Sequence, residues 1–107
     1  MKIVMLGAGA LGSTIGGTLA MGGNDVHFVD MWQEHVDLIN KDGLHMTNEK
    51  EDWYVRVDAR TTADTIGEAD LVIVLVKSFA TKQAVEQLKQ TNVIGKNTLV
   101  MSLQNGL

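Results

Sequence analysis

The hydrophobic positions of the chain follow two alternating spacings. Short, largely apolar runs, typical of strands buried on both faces, lie at residues 3–6, 26–29, 71–76 and 98–103. Between these runs, apolar residues recur at helical spacing in three groups: Leu11, Ile15 and Leu19; Trp32, Val36 and Ile39; and Ala80, Ala84 and Leu88. The first two helices are expected to end at glycines, the first at Gly22-Gly23 and the second at Asp42-Gly43. The pattern therefore predicts strands that alternate with helices.

The stretch between residues 43 and 70 has a less regular pattern. Two strand-like pieces, at 44–47 and 53–57, flank a polar turn at 48–52, and we expect a short helix before Asp70. Strands that alternate with helices and are mostly apolar on both faces indicate an α/β fold, with a doubly wound, mainly parallel sheet in three αβα layers. Ligands of such sheets bind beyond the carboxyl ends of the strands. The residues that follow each strand are therefore the candidate site residues.

The first strand is followed directly by Gly7-Ala8-Gly9-Ala10-Leu11-Gly12, which has the spacing G-x-G-x-x-G. A strand before this motif and a helix after it are the context of a dinucleotide-binding turn. Gly7 would allow the tight turn, Gly9 the approach of a pyrophosphate, and Gly12 close packing of helix against strand. The pyrophosphate would bind the free amides at the positive end of the helix. A glycine-rich turn without a ligand is the alternative, and Gly16-Gly17 indicate close packing on the sheet.

Asp30 ends the second strand, 18 residues after Gly12. This is close to the spacing of about 20 residues at which an acidic residue binds the adenosine ribose of a dinucleotide. A carboxylate accepts hydrogen bonds from both ribose hydroxyls of NAD, whereas it would repel the 2′-phosphate of NADP, and no arginine lies between residues 7 and 51. The sequence therefore favours NAD over NADP. Asp30 could also cap the second helix, a role that can coexist with ribose binding. Trp32 could be a core residue or a cover for the adenine.

Composition excludes several classes of function. The chain has 107 residues, of which 45% are hydrophobic, and this length allows one domain or a piece of one. With nine basic and thirteen acidic residues, the net charge is −4 and the basic residues are scattered, so nucleic acid is not an expected partner. The longest strongly apolar run, 71–76, is far shorter than the roughly 20 residues of a membrane span. The apolar start is also too short for a secretory signal.

The remaining chemistry-bearing residues do not indicate a metal site or a nucleophile. The chain has no cysteine, which excludes disulfides and thiolate ligands and is compatible with the cytoplasm, the location we expect. Three histidines fall at no metal-ligand spacing: His27, His35 and His45. No serine has a histidine and an acid in a triad-like context. Binding of a small molecule therefore remains as the function to examine.

Two further motifs follow the later strands, Val76-Lys77-Ser78 and Leu103-Gln104-Asn105-Gly106. Taken alone, Lys77 is typical of a solvated strand end and Asn105 of a plain turn. Together with the glycine motif and with Asp70 before the third apolar run, they make the whole chain resemble the N-terminal nucleotide-binding domain of ketopantoate reductases (2-dehydropantoate 2-reductases) and related D-2-hydroxyacid dehydrogenases. The resemblance implies a Rossmann-type domain, in which Lys77 helps to bind or orient the cofactor and Asn105 contacts cofactor and substrate.

The reaction implied by this resemblance is hydride transfer from a nicotinamide to a 2-oxo acid such as 2-dehydropantoate. Many members of the family use NADP and carry a basic residue after the second strand, where this chain has Asp30-Met31-Trp32. In this segment the chain resembles an NAD-using branch of the family, the D-mandelate dehydrogenases. The proton-donating lysine and the substrate-binding acid of the family belong to a helical C-terminal domain. We therefore expect a piece of a longer protein, truncated before the last strand of the sheet, with no catalytic residue in residues 1–107.

One alternative from another functional class remains. A non-enzymatic NAD-sensing domain has a comparable length, the same glycine turn and an acidic residue after the second strand. Such sensors typically carry an acidic segment later in the chain, where this sequence has Val76-Lys77-Ser78-Phe79. The sequence therefore favours the interpretation as part of an enzyme over the interpretation as a sensor. The sequence leaves the oligomeric state open, and a homodimer is compatible with it.

Overall fold

The computed structural model describes residues 1–7, 9–75 and 86–102. Within these ranges the first half of the chain folds as β1 (Lys2–Leu6), α1 (Ala10–Met21), β2 (Asp25–Val29) and α2 (Gln33–Asp42). The remaining strands are β3 (Leu44–Thr47), β4 (Asp52–Val55), β5 (Asp58–Arg60), β6 (Leu71–Val74) and β7 (Leu99–Ser102). Residues 86–89 are also helical. Across the described ranges, no helix is long and apolar enough to cross a membrane.

Five of these strands form one parallel sheet in the order β5-β2-β1-β6-β7. The chain moves outward from β1 through β2 to β5, and then returns to the other side of β1 for β6 and β7. The direction of winding therefore reverses between β1 and β6, which is the switch point at which such sheets bind ligands. The predicted mainly parallel, doubly wound sheet is confirmed.

Each face of the sheet is covered by its own apolar cluster. On one face Ile3, Met5 and Phe28 pack with α1, α2 and the antiparallel β3–β4 hairpin. On the other face Val4 and Val72 pack with residues from the segments that precede β6 and follow residue 85, namely Ala63, Ile66, Ala69, Leu88 and Val93. Because successive side chains of a strand point to opposite faces of the sheet, the side chains of β1 are buried on both faces. This arrangement agrees with the predicted three layers.

Helix α1 lies very close to the sheet because two of its positions have no side chain. A β-carbon at Gly16 would lie 2.3 Å from the ring of Phe28, and one at Gly17 would lie 2.3 Å from the sulfur of Met46. The expectation that these glycines allow close packing is confirmed, on β2 for Gly16 and on the β3–β4 hairpin for Gly17. Each glycine is unfavourable in a helix interior by about 0.5–1 kcal/mol, and the close packing offsets this cost.

We expect Gly16→Ala to lower the free energy of unfolding by about 1–2 kcal/mol, because the new methyl group would force the buried Phe28 ring to move. The ring is a side chain and can shift, so the protein should still fold. Urea denaturation followed by circular dichroism measures the change. Ala20→Gly, on the same helix, is the control for helix propensity, and equal or greater stability of Gly16→Ala would contradict the packing argument.

The region between β3 and β6 differs from the sequence-based prediction in two respects. The strand predicted at 53–57 ends at Val55, and a separate strand, β5, runs parallel to β2 with Ala59 opposite Phe28. The pattern missed β5 because it has only three residues and only Ala59 of them is buried. The short helix predicted before Asp70 is wrong, since Ala63 to Ile66 form a single turn closed by the Ile66 amide and the Ala63 carbonyl.

The later elements agree with the prediction where the structure describes them. β6 covers the first four residues of the run predicted at 71–76, and β7 covers 99–102 of the strand predicted at 98–103. The helix predicted from Ala80 to Leu88 is described only in its last part. β7 lies at the edge of the described sheet, and its side chains at Leu99, Val100 and Met101 are exposed.

Candidate functional site

The turn after β1 is built around two glycines that are needed for different reasons. Gly7 has φ of 106°, a conformation that strains any residue with a side chain, and its amide donates to the carbonyl of Val29 at the end of β2. Gly12 lies against this turn, since a β-carbon there would be 2.7 Å from the Gly7 carbonyl oxygen and 3.0 Å from Leu75. The start of α1 is thereby held against the carboxyl ends of β1 and β2.

Gly9 stands at the start of α1 and has open space beside it. It occupies the N-cap position, and a β-carbon there would have no heavy atom within 4 Å. Gly9 has no side chain with which to cap the helix, and the first turn of the helix carries no acidic residue. The first amides of a helix have no partner within the helix, and the helix dipole is positive at this end. This end of α1 is therefore suited to an anionic group that approaches the Gly9 backbone.

Asp30 follows β2 at the same edge of the sheet. Its backbone amide donates to the carbonyl of Arg60 at 3.0 Å, and its Oδ1 accepts from the Trp32 amide at 2.9 Å. The N-cap of α2 is Trp32 rather than Asp30, so the alternative role as N-cap is wrong. The carboxylate instead closes a turn from Asp30 to Trp32, directly before the helix, a common Asx geometry.

Trp32 is not a core residue. The pattern grouped it with Val36 and Ile39, which are buried, but the Trp32 side chain is 62% exposed. Its ring tilts against His35, with the ring centroids 5.5 Å apart. The core interpretation is therefore wrong, because α2 begins one residue later than the apolar spacing indicates.

A cavity of about 630 Å³ opens at this edge of the sheet. Gly7 and Asp30 both line it, so the structure brings together the glycine turn and the acidic residue that lies 23 positions later in the sequence. The other described residues of the wall are Leu6, Val29, Met31, Thr61, Thr62, Ala63, Asp64, Gln87, Leu88, Gln90 and Thr91. The cavity wall combines apolar side chains with hydroxyl, amide and carboxylate groups, as small-molecule sites usually do.

The charged side chains on the described wall of this cavity all have the same sign. Among the described lining residues, Asp30 and Asp64 are acidic and none is basic. A ligand that brings hydroxyl groups to Asp30 fits this arrangement. A ligand that brings a phosphate to the same place would meet a like charge with no basic partner on the described wall.

The sequence analysis missed the part of the wall that follows β5. Residues 61–64 come directly after the carboxyl end of a strand, which is where the general rule places ligand contacts. They were overlooked because β5 itself was not recognised. The glutamines and threonine at 87–91 carry no pattern of their own, and only the tertiary structure brings them to the cavity.

Several predicted site residues lie outside what the structure describes. Ala8, Lys77 and Asn105 are not among the described residues, and for Ala10 and Leu11 only the helical backbone is described. Asp70, which contributed to the family resemblance, lies at the amino end of β6, away from the cavity. Its Oδ2 accepts from the Lys2 amide at 2.7 Å, so its role in the described structure is to join β1 to β6.

A group of charged residues lies on β2 and β5, and none of them is in the described lining of the cavity. His27 Nδ1 is 2.8 Å from Asp58 Oδ2, and the Arg60 Nε donates to the same oxygen at 2.8 Å. His27 Nε2 is 3.0 Å from Asp25 Oδ1, at an angle that does not make a hydrogen bond. Burial raises the pKa of the Asp58 carboxyl, but the hydrogen bonds from His27 and Arg60 lower it by more, so this pKa lies below its usual value.

We expect this shift to make stability depend on pH. Because the pKa of Asp58 is lower in the folded than in the unfolded chain, its contribution is fully present above the unfolded value of about 3.9 and is lost as the pH falls through the folded value. Asp58→Asn should remove this contribution. Urea denaturation of the wild type and of Asp58→Asn between pH 6 and pH 2 measures their unfolding free energies. The difference between the two should shrink as the pH falls, whereas a constant difference would contradict the assigned pKa shift of Asp58.

The fold and the glycine turn together define a Rossmann-type α/β domain, the class that holds dinucleotides at the switch point of its sheet. Residues 3–107 match the family model described as Ketopantoate reductase PanE/ApbA. The chain belongs to the ketopantoate reductase family. Members of that family bind a nicotinamide cofactor, and the matched region is their N-terminal, NAD(P)-binding domain.

Individual relatives agree with this assignment. A 2-dehydropantoate 2-reductase of Pyrococcus abyssi is 42% identical over 107 residues, and one of Streptococcus pyogenes serotype M1 is 33% identical over the same length. Both matches cover the whole of this chain and 34% of the relative. The chain thus spans about a third of the length of the curated relatives that it matches.

Solved structures give the same result. A PanE/ApbA family ketopantoate reductase from Ralstonia eutropha JMP134 superposes with a TM-score of 0.87 at 39% identity, over 99% of this chain and 35% of that one. The ternary structure of D-mandelate dehydrogenase with NADH and anilino(oxo)acetate superposes with a TM-score of 0.89 at 30% identity, over 100% of this chain and 34% of that one.

Proposed function

We propose that this chain is the dinucleotide-binding part of an oxidoreductase that reduces a 2-oxo acid. The observation that carries the proposal is that one cavity is lined both by Gly7, two residues before the N-cap of α1, and by Asp30. The bound nicotinamide cofactor would supply a hydride to the carbonyl carbon of the substrate. The names of the relatives, 2-dehydropantoate 2-reductases, support a 2-oxo acid as that substrate.

The residues of the chain have distinct roles in this proposal. The first amides of α1 bind the pyrophosphate, which approaches Gly9 because no β-carbon stands in its way. Asp30 accepts hydrogen bonds from the hydroxyls of the adenosine ribose. By the family resemblance, Lys77 helps to bind or orient the cofactor, and Asn105 contacts both cofactor and substrate.

The preferred cofactor in this proposal is NADH. Asp30 would repel a 2′-phosphate, and no basic residue is among the described residues of the cavity wall. The relative D-mandelate dehydrogenase, whose solved structure contains NADH, is consistent with this choice. That likeness also supports a second candidate, an NAD-dependent D-2-hydroxyacid dehydrogenase of the same family that acts on a bulkier 2-oxo acid.

Calorimetric titration tests the cofactor preference. The full-length protein is titrated with NADH and separately with NADPH at one fixed salt concentration. Tighter binding of NADH is expected, and turnover with 2-dehydropantoate or with phenylglyoxylate then distinguishes the two candidate enzymes. Tighter binding of NADPH would overturn the argument from Asp30, and binding of a cofactor without turnover of any 2-oxo acid would favour the sensor alternative.

A further inference from the structure

Arg60 makes contacts on three sides at the end of β5. Its Nε donates to Asp58 Oδ2 at 2.8 Å, and its Nη1 donates to the hydroxyl of Thr65. Its backbone carbonyl accepts from the Asp30 amide at 3.0 Å. The side chain is 30% exposed, so the guanidinium is mostly covered and is engaged with groups of the protein. One residue thus joins β5, the segment after it and Asp30.

The segment between Arg60 and Thr65 forms one wall of the cavity. Its residues 61–64 all line the cavity, and they lie between two positions that the Arg60 guanidinium ties together. The segment itself has little regular structure, with one turn hydrogen bond from Ile66 to Ala63 at 3.2 Å. Without the bond to Thr65, the wall would be held chiefly by the burial of Ala63 and Ile66.

Building on the proposed function, we propose that Arg60 is a positioning residue of the cofactor site: its side chain holds the wall at residues 61–64 in the arrangement that receives the adenosine half of the dinucleotide. Arg60 itself does not contact the ligand in this proposal, and it is absent from the described lining of the cavity. The effect of its side chain passes through Thr65.

The chemistry of the side chain fits this role. A guanidinium is planar, always charged, and presents several N–H donors in a fixed arrangement, so it can serve Asp58 and Thr65 at once. An ammonium on a flexible stem is a point charge and lacks this fixed arrangement. The Asp58 carboxylate is in turn held by His27, so the guanidinium is fastened to a fixed acceptor. A wall that is ordered before binding loses less conformational entropy when the ligand arrives.

The test compares cofactor binding of the full-length wild-type protein with that of three variants, Arg60→Ala, Arg60→Lys and Thr65→Val. NADH and ADP-ribose are the probes, and all titrations are made at a temperature at which circular dichroism shows each variant folded. Arg60→Ala should raise the dissociation constants of both probes roughly tenfold, because the wall would then have to be ordered when the ligand binds rather than before it. Arg60→Lys should recover part of that loss, and Thr65→Val should show a smaller rise.

The matched control is Arg56→Ala. Arg56 is the other arginine of the chain, and its side chain donates to the carbonyls of Asn40 and Lys41, away from the cavity. Arg56→Ala should leave both dissociation constants unchanged. In steady-state kinetics, Arg60→Ala should raise KM for NADH and leave kcat at saturating NADH and KM for the 2-oxo acid unchanged, a separation that a general loss of folding would not produce.

The outcomes distinguish this inference from the proposed function. If the wild type binds NADH and Arg60→Ala binds it as tightly as Arg56→Ala does, the role of Arg60 is refuted while the proposed function stands. If Arg60→Ala does not fold, Thr65→Val decides, because it removes the contact with the wall and leaves Arg60 on Asp58; unchanged binding then refutes the inference. If the wild type binds neither NADH nor NADPH, the proposed function fails, and the role of Arg60 fails with it.

Discussion

Replacing Asp30 with Ala is expected to weaken NADH binding by about 10–100-fold, because a charged acceptor of ribose hydrogen bonds contributes about 1.5–3 kcal/mol. The same change should narrow the preference for NADH over NADPH, since the negative charge that opposes a 2′-phosphate is gone. Calorimetric titration of the full-length variant with each cofactor measures both effects.

The control for Asp30 is Asp25→Ala. Asp25 is the first residue of β2 and Asp30 directly follows the strand, so the two carboxylates lie at opposite ends of the strand. Asp25→Ala changes the net charge equally but should leave both dissociation constants as they are. NADH affinity and discrimination that are unaltered in Asp30→Ala would show that the carboxylate only closes the turn to Trp32.

The second large effect is expected from the two glycines at the start of α1, which should respond in opposite ways. Gly9→Ala should leave the free energy of unfolding nearly unchanged, because no atom lies within 4 Å of the new β-carbon and the φ of −69° suits any residue. It should nevertheless weaken NADH binding by about 10–100-fold, if the pyrophosphate occupies that space and loses charged hydrogen bonds to the backbone.

Gly12→Ala should instead lower the free energy of unfolding by about 3 kcal/mol or more. Its β-carbon would meet the Gly7 carbonyl at 2.7 Å, and a backbone atom in a strained turn cannot move aside as a side chain can. Urea denaturation and NADH titration of both variants separate the two cases. Unimpaired cofactor binding by Gly9→Ala would mean that the turn is structural and that the pyrophosphate does not approach there.

Much of the site could be predicted from the sequence, because its residues belong to a short motif or directly follow a clearly marked strand. Gly7 and Gly12 are required by backbone geometry, and the structure shows why, through a positive φ at one and a close contact at the other. Asp30 follows a strand that an apolar run marks clearly. The cofactor roles of these residues, and those of Lys77 and Asn105, remain predictions.

Other parts of the site had no local signal. β5 is three residues long with one buried side chain, so neither alternation nor an apolar run marks it, and Arg60 looks like an ordinary surface residue in the sequence. Trp32 gave a misleading signal, because one residue at the edge of a helical pattern can belong to the helix or to the turn before it. The turn at residues 63–66 was mistaken for a helix because a single turn and a short helix look alike in the sequence.

The sequence by itself determined the order of the main apolar strands and helices and the position of the glycine turn, because each depends on residues that are near one another in the chain. Gly16 and Gly17 also indicated close packing of α1, but the residues that α1 contacts were decided by the tertiary structure. Only the tertiary structure decided which strands are neighbours and which side chains share the cavity. The pairing of β5 with β2 brings Arg60 to Asp30, although the two are 30 positions apart. Such pairings depend on long-range packing, which no local pattern in the sequence specifies.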